Sequence, residues 1–180
     1  MLAIKRLLDI VFSLLGIIFL GPVLLFVSVL VRLTVPGSVL FTQLRVGRRK
    51  EVFRILKFRT MAENGPHAGE VVGVGGFLRR TKLDELPQML NILIGDMSFV
   101  GPRPYIVEES EGLPAERFRM APGLTGLAQV NGNTCLAWEE RTAYDIEYVR
   151  NWSLGLDFLI LLKTVRVVLC GEEKCMRHKG

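Results

Sequence analysis

The sequence predicts an α+β protein, mainly helical, with an N-terminal helix-break-helix membrane segment, amphipathic interfacial helices and a small antiparallel β-hairpin. Three observations carry this. No charged residue occurs from Ile10 to Val31. Two short β-rich runs flank a basic turn around Gly47. Residues 151–170 repeat their apolar positions at helical spacing.

The N-terminal segment comes first. Between Leu7 and Val31 the polar residues are Asp9, Ser13 and Ser28, and about 20 apolar residues suffice to cross the hydrocarbon core. The run is too long for a cleaved signal peptide, and no small-x-small cleavage site follows it. Gly21-Pro22 sits near its middle, where proline removes a backbone donor and crowds the preceding turn. Each half, Ile10–Leu20 and Val23–Val31, would be about 14–16 Å long at about 1.5 Å per residue, roughly half the core thickness. Basic residues lie on both flanks: Lys5 and Arg6 before, Arg32, Arg45, Arg48, Arg49 and Lys50 after. If basic flanks mark the cytoplasmic side, both ends face it. A re-entrant hairpin satisfies both the central proline and the basic flanks; the alternative is a kinked single span, since transmembrane helices tolerate proline. The expected division is a membrane segment over residues 1–34 and a catalytic-size domain over residues 35–180.

Val39-Leu40-Phe41-Thr42-Gln43 and Val52-Phe53-Arg54-Ile55-Leu56 read as the two strands of a hairpin. Residues 62–76, with five glycines and Pro66, read as a loop; Val72-Gly73-Val74-Gly75-Gly76 lacks the Gly-Lys-Ser/Thr that a phosphate loop requires. Leu83 to Ile94 is a short helix, with Pro87 tolerable in its first turn and Gly95 at its end. Glu139 to Val149 is a second helix. From Asn151 to Cys170, Leu154, Phe158, Leu161, Val165 and Val168 form one stripe, with Ser153, Asp157, Lys163, Thr164 and Arg166 opposite. That helix suits either the bilayer interface or the domain core.

Composition narrows the functional classes. The length allows one domain plus an anchor. The net charge of +5 is concentrated in Arg45, Arg48, Arg49, Lys50, Arg54, Lys57 and Arg59. Only Phe53 and Phe58 interleave with these cations, which argues against nucleic acid and for anionic headgroups or a diphosphate. Cys135, Cys170 and Cys175 form no CxxC pair, and His67 and His178 offer no zinc spacing.

Residues 81–104 concentrate the chemistry. Asp84 and Glu85 are adjacent at the start of the short helix, where, taken alone, they read as acidic residues that cap free N–H groups and complement the helix dipole. A carboxylate can also accept a phosphoryl group covalently. Adjacent carboxylates repel, and a magnesium ion relieves that repulsion while leaving coordination positions for substrate phosphates. Lys57 and Arg59 leave a strand end on one side, spaced to clamp a diphosphate. Arg103 lies between two prolines in Gly101-Pro102-Arg103-Pro104 and is poised to fork onto phosphate oxygens.

Seven motifs in series, Lys57-Phe58-Arg59-Thr60-Met61, Phe77-Leu78-Arg79-Arg80-Thr81, Leu83-Asp84-Glu85-Leu86-Pro87-Gln88, Gly95-Asp96-Met97-Ser98-Phe99, Gly101-Pro102-Arg103-Pro104, Pro122-Gly123-Leu124-Thr125-Gly126 and Gln129-Val130-Asn131-Gly132, resemble the bacterial monotopic phosphoglycosyl transferases, or bacterial sugar transferases. The resemblance runs in the family's order from the membrane segment to Trp138…Tyr144-Asp145, and it is to the minimal catalytic form, without the N-terminal domains of larger relatives.

It implies transfer of a sugar-1-phosphate from a UDP-sugar to a polyprenyl (undecaprenyl) phosphate at the cytoplasmic face of the bacterial inner membrane. In that reading Asp84 attacks the sugar-linked phosphorus and releases UMP, and Glu85 holds Mg2+. Lys57, Arg59 and Arg103 steady the phosphates. Arg79, Gln129 and Asn131 are further substrate-binding candidates. Gly21 and Pro22 form the membrane helix break, with Gly21 where serine is usual; Lys82 replaces a usual serine and Asn133 a usual arginine. Membrane phospholipid is an expected neighbour, and a homodimer is one option for a state the sequence does not fix. Two other readings stand beside this one: a membrane-bound glycosyltransferase that releases UDP, and a non-enzymatic adaptor that uses the basic patch on anionic lipid.

Overall fold

The computed structural model describes residues 2–170, so Cys175 and His178 lie outside the described residues. Helix α1 runs from Leu2 to Thr34 with Pro22 inside it, and is the one described helix long and apolar enough to cross a membrane. The interruption expected at Gly21-Pro22 is therefore corrected: the helix continues through it. Pro22 deletes only the hydrogen bond its N–H would make to the Ile18 carbonyl, a loss that long apolar helices tolerate.

Both ends of α1 dock on the rest of the chain. Near its start, Lys5 Nζ donates to Asp157 Oδ2 at 2.7 Å, and Asp9 Oδ1 accepts from Ser98 Oγ and the Phe99 N–H, each at 3.1 Å. Arg6 donates to the Ile92 and Leu93 carbonyls at 2.5 and 2.7 Å. Near its end, Val27, Val31 and Val35 pack with Phe58 and Leu78. No residue from 14 to 26 is buried, and Ile18, Phe19, Leu25 and Phe26 are 61%, 76%, 68% and 63% exposed.

The hairpin forms as its alternation requires, slightly longer than read. Strand β1 (Leu40–Val46) pairs antiparallel with β2 (Val52–Phe58), Leu40 opposite Phe58 and Val46 opposite Val52. Strands β3 (Ser98–Val100), β4 (Tyr105–Ile106) and β5 (Gly123–Thr125) are additions, each too short for alternation to reveal. The order is β2-β1-β4 in an antiparallel sheet, while β3 and β5 form a separate parallel pair.

Helix α2 (Gly75–Thr81) begins inside the stretch read as loop. The helix expected over Leu83–Ile94 divides into a 3₁₀ turn at Leu83–Glu85 and α3 (Gln88–Ile94). Pro87 lacks the N–H that would bond the Leu83 carbonyl, so the α-helical ladder begins only after it. Gly95, at φ 109°, terminates α3. Asn91 on α3 seals the free edge of β2: its Oδ1 accepts from the Leu56 N–H at 3.0 Å and its Nδ2 donates to the Arg54 carbonyl at 2.8 Å.

Helices α4 (Leu127–Val130), α5 (Trp138–Asn151) and α6 (Leu154–Cys170) complete the described residues. On α6 part of the face expected to be polar points inward, while Lys163 and Arg166 are exposed. Asp157 and Ile160 are buried, and Thr164 Oγ1 lies 2.7 Å from Thr125 Oγ1. Phe158, Leu161, Val165 and Val168 of the apolar stripe are exposed, so that stripe does not pack in the domain core. Asp157 is fully engaged, with Oδ1 2.7 Å from the Tyr148 hydroxyl and Oδ2 accepting from Trp152 Nε1 at 3.1 Å as well as from Lys5.

Replacing Lys5 with methionine leaves the buried Asp157 without its cation. We expect Lys5→Met to cost about 3–5 kcal/mol in thermal unfolding followed in detergent. An unchanged midpoint would show that the latch does not hold α1.

Candidate active site

Lys82 ends α2 in the left-handed region, at φ 59°, and this turn swings Leu83-Asp84-Glu85 towards the hairpin. Asp84 is 8% exposed and its Oδ1 has no hydrogen-bond partner. Burial, and then the neighbouring Glu85, push its carboxyl above the ordinary range, against the opposing pull of Lys57, Lys82 and Arg79. Glu85 accepts from Lys57 Nζ at 2.6 Å. Neither the 3₁₀ turn nor α3 has a side-chain N-cap hydrogen bond, so the pair does not serve as a helix cap.

A cleft of about 670 Å³ opens over these carboxylates. On β1, Phe41, Gln43 and Arg45 alternate onto it; on β2, Lys57 stands opposite Phe41, with Arg59 just beyond the strand. Arg59 donates to the Ser38 carbonyl at 2.8 Å and to Ser38 Oγ at 2.7 Å, and pairs with Glu63 at 3.1 Å. Arg79 also lines the cleft, its Nε donating to Thr60 Oγ1 at 2.8 Å. Asp84, Glu85, Lys57, Arg59 and Arg79 therefore converge.

Arg103 and Gln129 line a second, smaller cleft of about 210 Å³, whose far wall is α6. Lys82 and Glu85 line both clefts and form the ridge between them. Arg103 donates to Asn133 Oδ1 at 3.3 Å. Asn131 is not brought to either cleft: its Nδ2 donates to the Leu127 carbonyl at 2.8 Å, at the end of α4.

The loop carrying Arg103 is held by backbone contact. Gly101 N–H donates to the Thr125 carbonyl and Gly123 N–H to the Pro102 carbonyl, each at 2.9 Å. A Cβ on Gly101 or Gly123 would meet backbone at 2.3 and 2.1 Å, so both motif glycines are required by close approach. Three further residues complete the support. Arg117, buried, donates to Asp145 Oδ2 at 2.8 Å and to the Arg103 carbonyl, and lies 4.4 Å over the Tyr105 ring. Burial pushes the Asp145 carboxyl up while Arg117 opposes it. Arg45 donates to the Pro104 carbonyl at 3.2 Å and to Gln43 Oε1 at 2.6 Å, linking the hairpin to the loop. The sequence places Arg45 in the basic patch that suits headgroups or a diphosphate, and β1 carries it, with Phe41 and Gln43, onto the cleft face. Nothing in the local sequence marks Arg117.

Residues 1–171 match the bacterial sugar transferase family. The chain belongs to that family. It is 40% identical to the exopolysaccharide production protein ExoY of Sinorhizobium fredii over 91% of this chain and 84% of that one. It is 42% identical to the UDP-glucose:undecaprenyl-phosphate glucose-1-phosphate transferase of Caulobacter vibrioides, over 94% of this chain and 71% of that one. It is 39% identical to the UDP-N-acetylgalactosamine-undecaprenyl-phosphate N-acetylgalactosaminephosphotransferase of Aeromonas hydrophila, over 93% of this chain and 44% of that one.

In this bacterial sugar transferase, no group of three or more His, Cys, Asp or Glu side chains is assembled among the described residues. Two adjacent carboxylates, one with an orphaned oxygen, nevertheless suit magnesium, which takes one or two protein carboxylates and leaves the rest to water and phosphate.

Burial raises the pKa of the Asp84 carboxyl in the folded protein. The folded state holds this proton more tightly than the unfolded chain, so stability is lost as pH rises through the folded-state pKa. Asp84→Asn removes that penalty. We expect it to unfold at a higher temperature than the parent protein at pH 7–8, by about 1–3 kcal/mol, with the gap closing as pH falls to about 4. A destabilised variant across this range would refute the assignment of an uncompensated buried carboxylate.

Proposed function

We propose that this chain transfers a sugar-1-phosphate from a UDP-sugar to undecaprenyl phosphate, through a phosphosugar ester on Asp84, and so begins assembly of a membrane-linked glycan. The observation that carries the reading is the buried Asp84 carboxylate, with one oxygen unpartnered, at the floor of a cleft walled by cations. The names of relatives about 40% identical over most of the chain support the donor and acceptor classes.

In the first half-reaction an Asp84 oxygen attacks the sugar-linked phosphorus. The bond from that phosphorus to the bridging oxygen breaks, and UMP leaves with that oxygen. In the second, a phosphate oxygen of the acceptor attacks the same phosphorus, the aspartyl bond breaks, and the carboxylate is regenerated. Lys57, Arg45 and Arg59 face the charge that develops on the departing phosphate, and Arg103 serves the acceptor side. Magnesium held by Glu85 would neutralise diphosphate charge when bound. Because Asp84 must be ionised to attack and burial raises its pKa, the acidic limb of the rate profile lies above the ordinary carboxylate range.

The contacts of α1 support a membrane arrangement. Both of its ends contact one folded domain while its middle exposes apolar side chains, whereas a straight span would separate its ends by about 30 Å across the bilayer. This favours a re-entrant course over residues 1–34, bending near Pro22, with residues 35–180 on the cytoplasmic face. Cysteines introduced at Leu2 and Ser38 are then both labelled by an impermeant reagent from the cytoplasmic side; labelling from opposite sides would establish a span.

Purified protein in nanodiscs, given magnesium, undecaprenyl phosphate and a panel of UDP-sugars, is expected to release UMP with its cognate sugar. Asp84→Asn should lower that release on the order of a thousandfold or more. Release of UDP would establish plain glycosyl transfer instead.

A further inference from the structure

An apolar groove of about 480 Å³ runs between α1 and α6, outside both clefts. Leu8, Phe12 and Leu20 of α1 and Leu154 and Phe158 of α6 form its walls. Lys5, Asp9 and Asp157 lie at its floor, but Lys5 and Asp157 neutralise each other, and Asp9 is bonded to Ser98 and Phe99. The groove therefore presents hydrocarbon walls over satisfied charges.

Phe99 and Leu161 line this groove and also the second cleft, so the two adjoin. One continuous path thus runs from cationic Arg103 and Lys82, past Phe99 and Leu161, into an apolar slot on the face where α1 and α6 expose their hydrophobic side chains. A ligand complementary to the whole path has an anionic head and a long hydrocarbon tail leaving it on one side. We propose that the groove holds the first isoprenoid units of the acceptor while its phosphate occupies the second cleft. The donor diphosphate then keeps the larger cleft, and the acceptor phosphate reaches the phosphosugar on Asp84 across the shared Lys82–Glu85 ridge. This assignment rests on the acceptor class given under Proposed function.

The test narrows the groove without touching either cleft. Leu8→Trp and Leu154→Trp are expected to raise KM for undecaprenyl phosphate at least tenfold. KM for ethyl phosphate, which has no isoprenoid tail to enter the groove, and acceptor-free UMP release should be unchanged. Equal effects on both acceptors, or none on either, overturn the proposal. A readout independent of turnover is crosslinking of a diazirine-tailed polyprenyl phosphate. Labelled peptides should fall within residues 8–20 and 154–161 and be protected by undecaprenyl phosphate but not by excess phosphatidylglycerol. Labelling elsewhere, or equal protection by phosphatidylglycerol, would reveal no acceptor site or a general lipid groove, and either overturns the proposal. Crosslinking as expected in a protein that never releases UMP would leave the groove standing and sink the transfer reaction.

Discussion

A charged latch in an apolar helix is the constraint from which the architecture follows. Lys5 and Asp9 stand one turn apart at the start of α1, and both are buried. Unpaired, either would cost several kcal/mol in a low-dielectric setting, so α1 can dock in only one register, the one that meets Asp157, Ser98 and the Phe99 N–H. The consequences spread along the chain. Asp9 fixes the first residues of β3, and β3 leads directly into the loop that carries Arg103. Asp157 fixes α6 against α5 through Tyr148 and Trp152. The membrane segment and the phosphate-handling loop are therefore set by the same contacts.

A second layer of constraint keeps the two clefts in fixed relation. The parallel pair of β3 and β5 brings Gly101 against Gly123 so closely that no side chain fits between them. Arg117 then ties the Arg103 carbonyl to Asp145, beneath the site. From the other side Arg45 reaches the Pro104 carbonyl. Arg103 is thereby aimed by backbone contacts and by two further arginines, which tie the hairpin to the loop. Such rigidity suits a reaction in which catalysis is mostly positioning and charge stabilisation.

Much of this was legible in the sequence, for identifiable reasons. The hairpin followed from period-2 alternation, and Asp84, Glu85, Lys57, Arg59 and Arg79 do meet in one cleft. Asn131 does not join them, because its amide is taken up at the end of α4. The sequence suggests a break at Gly21-Pro22, but a single missing N–H does not outweigh the remaining ladder, so Pro22 can bend α1 without interrupting it. The inward face of α6 was hidden for a different reason. Asp157 and Thr164 read as solvent-facing because their partners, Lys5, Tyr148 and Thr125, lie far away in sequence. Strands of two or three residues carry too little period to be seen at all. Arg117 acts through a backbone carbonyl, which leaves no mark in the pattern of side chains.

The central claim is that Asp84 forms a covalent bond to the phosphosugar before any acceptor is present. Intact-protein mass spectrometry after incubation with the cognate UDP-sugar and magnesium, without undecaprenyl phosphate, tests it directly. The account requires an added mass equal to the sugar phosphate, mapped by fragmentation to Asp84 and discharged when undecaprenyl phosphate is supplied. Turnover with no adduct at any time, or an adduct on another residue, would contradict it.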